Sequence, residues 1–396
     1  MPLPPLSSPF PLLNLKGKPL LPIVQGGMGV GISAHRLAGA VAAENAVGTI
    51  ASIDLRCHHP DLMEKTRRIR DRDANKAAIQ AANLTALDRE IKKAREVAQG
   101  RGLIAVNVMR AVTQYQDCIQ QSCVSGADAI VMGAGLPLEL PDLTADFPHV
   151  ALLPILSDVR GITLILKKWM RKKRLPDAIV IEHPAYAGGH LGAPKKEELG
   201  DARFDFNVVL PGALETLKEL GLEAENIPLI PAGGINSHER VKAMMALGAA
   251  AVQLGTPFAV TEEGDAHPNF KKVLIEAKRE DVVEFMSCAG LPARAVKTPW
   301  LAKYLAREQS LMKAAEGKTH RCTLAWDCII SCGLRDANPK HGQFCIDHQL
   351  LAAVNGEVDK GLFFRGKASL PFGRAIRSVR ELIAYLLSGE KPALAL

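Results

Sequence analysis

Residues 227–256, IPLIPAGGINSHERVKAMMALGAAAVQLGT, constrain the fold more than any other stretch of the chain. A short apolar run ends in Gly233 and Gly234. One amphipathic helical pattern follows, and a second apolar run ends in Gly255. Two consecutive strands that each end in glycine let backbone N–H groups approach a ligand closely. In a (β/α)8 barrel the loops after strands seven and eight commonly form a phosphate site of this kind. The pattern therefore predicts a barrel that holds a phosphorylated cofactor near Gly233, Gly234, Gly255 and Thr256. The helix after Gly234 would add its N-terminal dipole. An open doubly wound sheet competes as an architecture but explains so late a cassette less well.

The rest of the chain agrees with a barrel. Strand-like apolar runs occur at Pro22–Gln25, Ala46–Ala51, Leu103–Met109, Ala127–Met132, Val150–Leu156, Asp177–Glu182, Ile227–Pro231 and Ala249–Leu254. They alternate with helical patterns, as a (β/α)8 TIM barrel requires. Several are continuously apolar, which suits parallel strands buried on both faces. Two regions break the alternation. Residues 54–100 are polar and rich in helix formers, and read as surface helices between strands two and three. Residues 266–368 follow strand eight and carry a cysteine cluster; they are expected to form a smaller, mostly helical lid over the barrel mouth. The barrel itself would span 1–265, with Ser378–Ser388 inside 369–396 returning as the last barrel helix.

Composition narrows the function classes. Hydrophobic residues make up 47% of 396, which suits a globular protein with a large core and no run long enough to span a bilayer. The N-terminus is apolar but broken by prolines and lacks a basic start. It reads as an extended arm over the barrel floor rather than a signal peptide. That points to the cytoplasm, where eight cysteines would be reduced, catalytic or metal-bound. The net charge of +7 reads as general solubility. The basic run at 167–174 has no interleaved aromatics, so neither nucleic acid nor membrane is expected as a partner. An oligomer is left open.

Four motifs carry chemistry. Residues 24–31, ValGlnGlyGlyMetGlyValGly, follow strand one, where glycines free backbone groups to meet a flat ring. No dinucleotide fingerprint follows them. Asn107 places an amide at the end of apolar strand three, where it can bond a heteroaromatic edge or be satisfied by backbone. AlaTyrAlaGlyGlyHisLeuGly, 185–192, follows strand six and puts His190 on the catalytic face. Histidine there suits proton abstraction near neutral pH. The fourth motif is the glycine cassette itself.

GlnGlyGlyMetGly, AlaGlyGlyHis, AlaGlyGlyIle and LeuGlyThrProPhe occur in the order seen in nitronate monooxygenases, and the chain resembles that family over roughly residues 20–300. GlyLeuPhePheArgGly at 361–366 is a weaker echo. The flavin-dependent enoyl-acyl-carrier-protein reductases share much of the set. The resemblance implies FMN. Gly27, Met28 and Asn107 would touch the isoalloxazine ring, Gly189 would line it, and Gly233, Gly234, Gly255 and Thr256 would hold the phosphate. His190 would be the catalytic base. Two departures mark a divergent subgroup. Tyr186 stands where family members commonly carry Glu, which would change the polarity around the base. The first turn reads GlyGlyMetGlyValGly rather than the common Pro-Met form.

Cys322, Cys328, Cys332 and Cys345 are spaced C-x5-C-x3-C-x12-C. Four cysteines so close suggest an iron–sulfur or zinc site, with His341 as an alternative ligand. The spacing matches neither a standard zinc pair nor a ferredoxin run, and buried apolar thiols are the opposing reading. The leading function is oxidation of alkyl nitronates with O2. An NAD(P)H-dependent reductase of an enoyl thioester or quinone is the alternative, and a non-catalytic flavin- or cluster-binding sensor is the third.

Overall fold

The computed structural model describes residues 4–316, 322 and 324–392. Eight parallel strands close a barrel: β1 (Ile23–Gln25), β2 (Val47–Ala51), β3 (Leu103–Met109), β4 (Ala129–Gly133), β5 (Ala151–Leu156), β6 (Ile179–Glu182), β7 (Leu229–Ala232) and β8 (Val252–Leu254). Closure is made by β8 on β1, with Val252 opposite Ile23 and Leu254 opposite Gln25. Each strand lies inside or within three residues of a run read from the sequence. Alternate side chains explain the double burial. Val24, Val47, Val131, Leu153 and Val180 fill the barrel interior, while Ile23, Ile50, Ile104, Leu152 and Ile179 pack outward against the helices.

Local chemistry sets the helix ends. Asp158 accepts a hydrogen bond from Gly161 N at 2.7 Å and starts the helix Val159–Met170. Ser237 caps His238–Ala246. Ser378 and Glu381 form a capping box at Val379–Ser388, and Gly389 closes it at φ 80°. That last helix packs against His35–Ala43 and His238–Ala246, where an eighth barrel helix belongs. Residues 54–100 form surface helices, dominated by Arg72–Ala98.

The N-terminal arm is more ordered than an extended strap. Leu13–Leu15 pairs antiparallel with Lys18–Leu20, and the hairpin inserts Leu13, Leu15 and Leu20 into the bottom of the barrel core. The lid contains the helices Pro268–Glu276, Pro299–Leu305, Glu308–Ala315 and Ile346–Val354. It also contains antiparallel strands β9 (Val282–Met286) and β10 (Pro292–Val296). The third strand of that small sheet comes from the barrel: Gly189–His190 pairs with β10. Among the described residues, no helix is long and apolar enough to cross a membrane.

Candidate active site

Side chains alternate along a strand, so the inward residue beyond each core valine or alanine must face the barrel mouth. Those residues are Gly26, Asn107, Gly133, Ile155, Glu182 and Gln253, and all line one cavity of about 1160 Å³ between barrel and lid. The floor thus carries three polar groups. Asn107 donates to Val131 O at 3.3 Å, which orients its amide. A Cβ on Gly27 would collide with Asn107, so glycine is what lets the first turn lie on that amide. A Cβ on Gly255 would lie 3.6 Å from Met28 Sδ, so the first turn packs beside the last.

Glu182 was not singled out from the sequence. Its signal was a carboxylate closing an otherwise apolar strand. Burial pushes it up to about 7, while the Arg294 guanidinium pulls the other way. His190 lines the same cavity, and Phe364 from the lid lies 5.7 Å away, ring to ring. Its Nε2 is buried with no hydrogen-bond partner among the described residues. Burial pushes the imidazole down to about 4, so it is neutral at physiological pH and able to accept a proton.

At the opposite end the chain turns twice on glycine. Gly233 and Gly234 have φ of 100° and 74°, which a side chain would strain. Thr256 Oγ1 accepts from Gly366 N at 3.0 Å, so the 361–366 segment closes over this end. Tyr186 also belongs here. A Cβ on Gly234 would come within 2.9 Å of its ring, and its edge meets His183 at 4.6 Å. Tyr186 thus packs on the glycine turn while lining the same cavity as His190.

The nitronate monooxygenase family model matches residues 14–389. The chain belongs to the nitronate monooxygenase family. It is 28% identical over 291 residues to a protein described as a probable nitronate monooxygenase from Bacillus subtilis (strain 168), covering 71% of this chain and 77% of that one. Among solved structures, FabK from Thermotoga maritima superposes with a TM-score of 0.63 at 22% identity, over 92% of this chain and 91% of that one. Nitroalkane oxidase from Streptomyces ansochromogenes gives 0.61 at 20%, over 93% and 96%. These two likenesses concern the fold. Family membership makes this chain an FMN-dependent oxidoreductase.

The cavity fits that cofactor. Its volume exceeds a drug-sized pocket and leaves room for a substrate beside a flavin. Glycine turns with accessible backbone stand at one end, and Asn107 and Glu182 stand on the floor. His190, whose Nε2 has no hydrogen-bond partner among the described residues, lines the same cavity.

The cysteine cluster is corrected. Among the described residues, no three His, Cys, Asp or Glu side chains converge to hold a metal ion. Cys328 and Cys332 instead pack in the lid core with Cys288, Trp326 and Phe344. The Cys288 thiol donates to Cys332, which pushes Cys332 down to about 6. Cys288 lies 34 residues before Cys322 in the chain, so spacing does not group it with the other thiols. Cys345 stands at the N-terminal boundary of the helix Ile346–Val354 without a side-chain capping bond. His341 packs against Gly290 and Gly333, and its Nε2 lies 3.4 Å from Asn338 Nδ2. Cys322, Cys328, Cys332 and Cys345 lie near enough to feel one another's charge, with Cys322 and Cys345 only half-buried, but no metal-holding group forms among the described residues.

Proposed function

We propose that this enzyme oxidises alkyl nitronates with O2, holding FMN in the cavity between barrel and lid. Gly27, Met28, Asn107 and Gly189 would meet the ring, and Gly233, Gly234, Gly255 and Thr256 the phosphate. When bound, FMN supplies the electron acceptor for the substrate carbon. The observation that carries the reading is His190: neutral, with an Nε2 that is buried and has no hydrogen-bond partner among the described residues, in a cavity whose other walls suit a flavin. A neutral imidazole takes the proton from the acidic carbon of a nitroalkane, and hydrogen-bonds the nitro group of a nitronate once protonated. Glu182, pushed up to about 7, does not oppose an anion with a full charge.

The test is anaerobic reduction followed by absorbance. A nitronate should bleach the flavin, and nitrite should appear when air is admitted. Fast bleaching by NADH or NADPH with little response to nitronate would favour an enoyl-thioester or quinone reductase. One feature supports that second reading: the cavity continues past the flavin cradle to Arg203 and Val208, which is space for a longer substrate.

A further inference from the structure

Arg294 lies on lid strand β10 and is fully buried. A buried guanidinium is costly unless its donors are used. Here Nε and Nη2 donate to Glu284 Oε1 at 3.2 and 2.7 Å. Nη1 donates to the carbonyl oxygens of Pro184, at 3.0 Å, and Ala187. Both carbonyls belong to the loop that leads to His190. The backbone of the same strand holds the other side of that loop. Arg294 pairs with Gly189, and Ala293 with His190. Leu191 N then donates to Pro292 O at 2.8 Å. One lid residue and its neighbours therefore grip the loop before and after its Gly-Gly reversal.

We infer that Arg294 is a positioning residue for His190, its side chain fixing residues 184–187 so that the imidazole stands at the substrate's acidic carbon. This rests on His190 being the base. The chemistry requires arginine: its planar fork reaches a carboxylate and two carbonyls at once, whereas lysine offers a single compact charge. Glu284 pairs with the guanidinium at 2.7 Å and offsets its charge in part, while Arg294 still favours the ionised form of Glu182. Because β10 belongs to the lid, the base is placed only by a docked lid. Barrel strand β6 alone delivers the chain no further than Glu182.

The experiment compares a neutral nitroalkane, nitroethane, with its preformed nitronate in wild type, Arg294→Lys and His190→Asn. Only the neutral substrate needs a placed base. Displacement of the base by an ångström costs about 10²-fold. The expected result for Arg294→Lys is a loss of about that size in kcat/KM for nitroethane, with nitronate turnover and FMN content within about threefold of wild type. Amide exchange over 185–191 should quicken alongside. A purely structural role would instead lower both substrates and FMN content together, and that result would overturn the inference. So would wild-type exchange over 185–191 in the variant. If Arg294→Lys does not fold, Glu284→Gln loosens the guanidinium and should give the same split at smaller size; no split there overturns the proposal. If wild type uses neither substrate, the nitronate reading fails by itself, and exchange over 185–191 still decides whether the clamp exists.

Discussion

His190 lives where an imidazole is kept neutral by burial alone, with no carboxylate behind it to favour the charged form. His190→Asn keeps a polar group of similar size and removes the base. Nitroalkane turnover should fall by roughly 10²–10⁴-fold, the usual worth of a general base, with nitronate turnover far less affected. Steady-state kinetics on the two substrate forms checks this. The same burial affects stability. The folded-state value of His190 lies below its ordinary one, so the unfolded chain binds the proton first, and stability is lost as pH falls from about 6.5 towards about 4. Glu182 has the opposite sign. Its value is raised from 4.5 to about 7, so it ionises in the folded protein as pH rises through neutrality. KM for an anionic nitronate should then rise across pH 6–8 in wild type, and Glu182→Gln should flatten that profile.

At the scale of elements, strand runs were legible because continuous apolar stretches suit doubly buried parallel strands. Leu103–Met109 appears with the same ends in sequence and structure. The N-terminal hairpin was not legible, since its prolines hide two three-residue strands, and its leucines find their place only beneath a closed barrel. The glycine cassette was legible as a turn, but what covers it was not. Tyr186 reaches Gly234 from another loop. Gly234→Ala would add a Cβ at positive φ and against that ring, which should cost about 1–2 kcal/mol and lower FMN retention after gel filtration. Thermal melts with and without added FMN separate the two effects, because added flavin restores only the second.

Across the whole molecule, lid and barrel meet through a contact that needs a proton. Asp347 of the lid is buried close to Asp54, which follows β2, and neither Asp347 carboxyl oxygen has a hydrogen-bond partner among the described residues. Burial and the neighbouring Asp54 charge both disfavour a second carboxylate here, so Asp347 is the group that keeps a proton. Arg56 sits 2.7 Å from Asp54 and favours the charge there, while burial pushes Asp347 far above the usual carboxylate range. The folded state holds a proton that the unfolded chain releases. Stability is therefore present at low pH and lost as pH climbs above the ordinary carboxylate value. Asp347→Asn supplies a permanent donor. It should stabilise the protein at neutral pH by about 1–3 kcal/mol, with the gain shrinking towards pH 4. Denaturant melts of both proteins across that range check the sign.

The sequence by itself determined the barrel, the flavin-type glycine turns and His190. Those follow from local rules: strand burial, left-handed glycine and the order of motifs along one chain. Tertiary structure alone decided what surrounds them. Glu182 became a floor group because alternation turns it into a closed mouth. Cys332 found Cys288 rather than a metal because the lid folds its loop onto the β9–β10 turn. Arg294 reached the base loop because a lid strand more than a hundred residues downstream of His190 pairs with it. Each depends on contacts between distant segments, and spacing along the chain carries no record of which distant segments will meet.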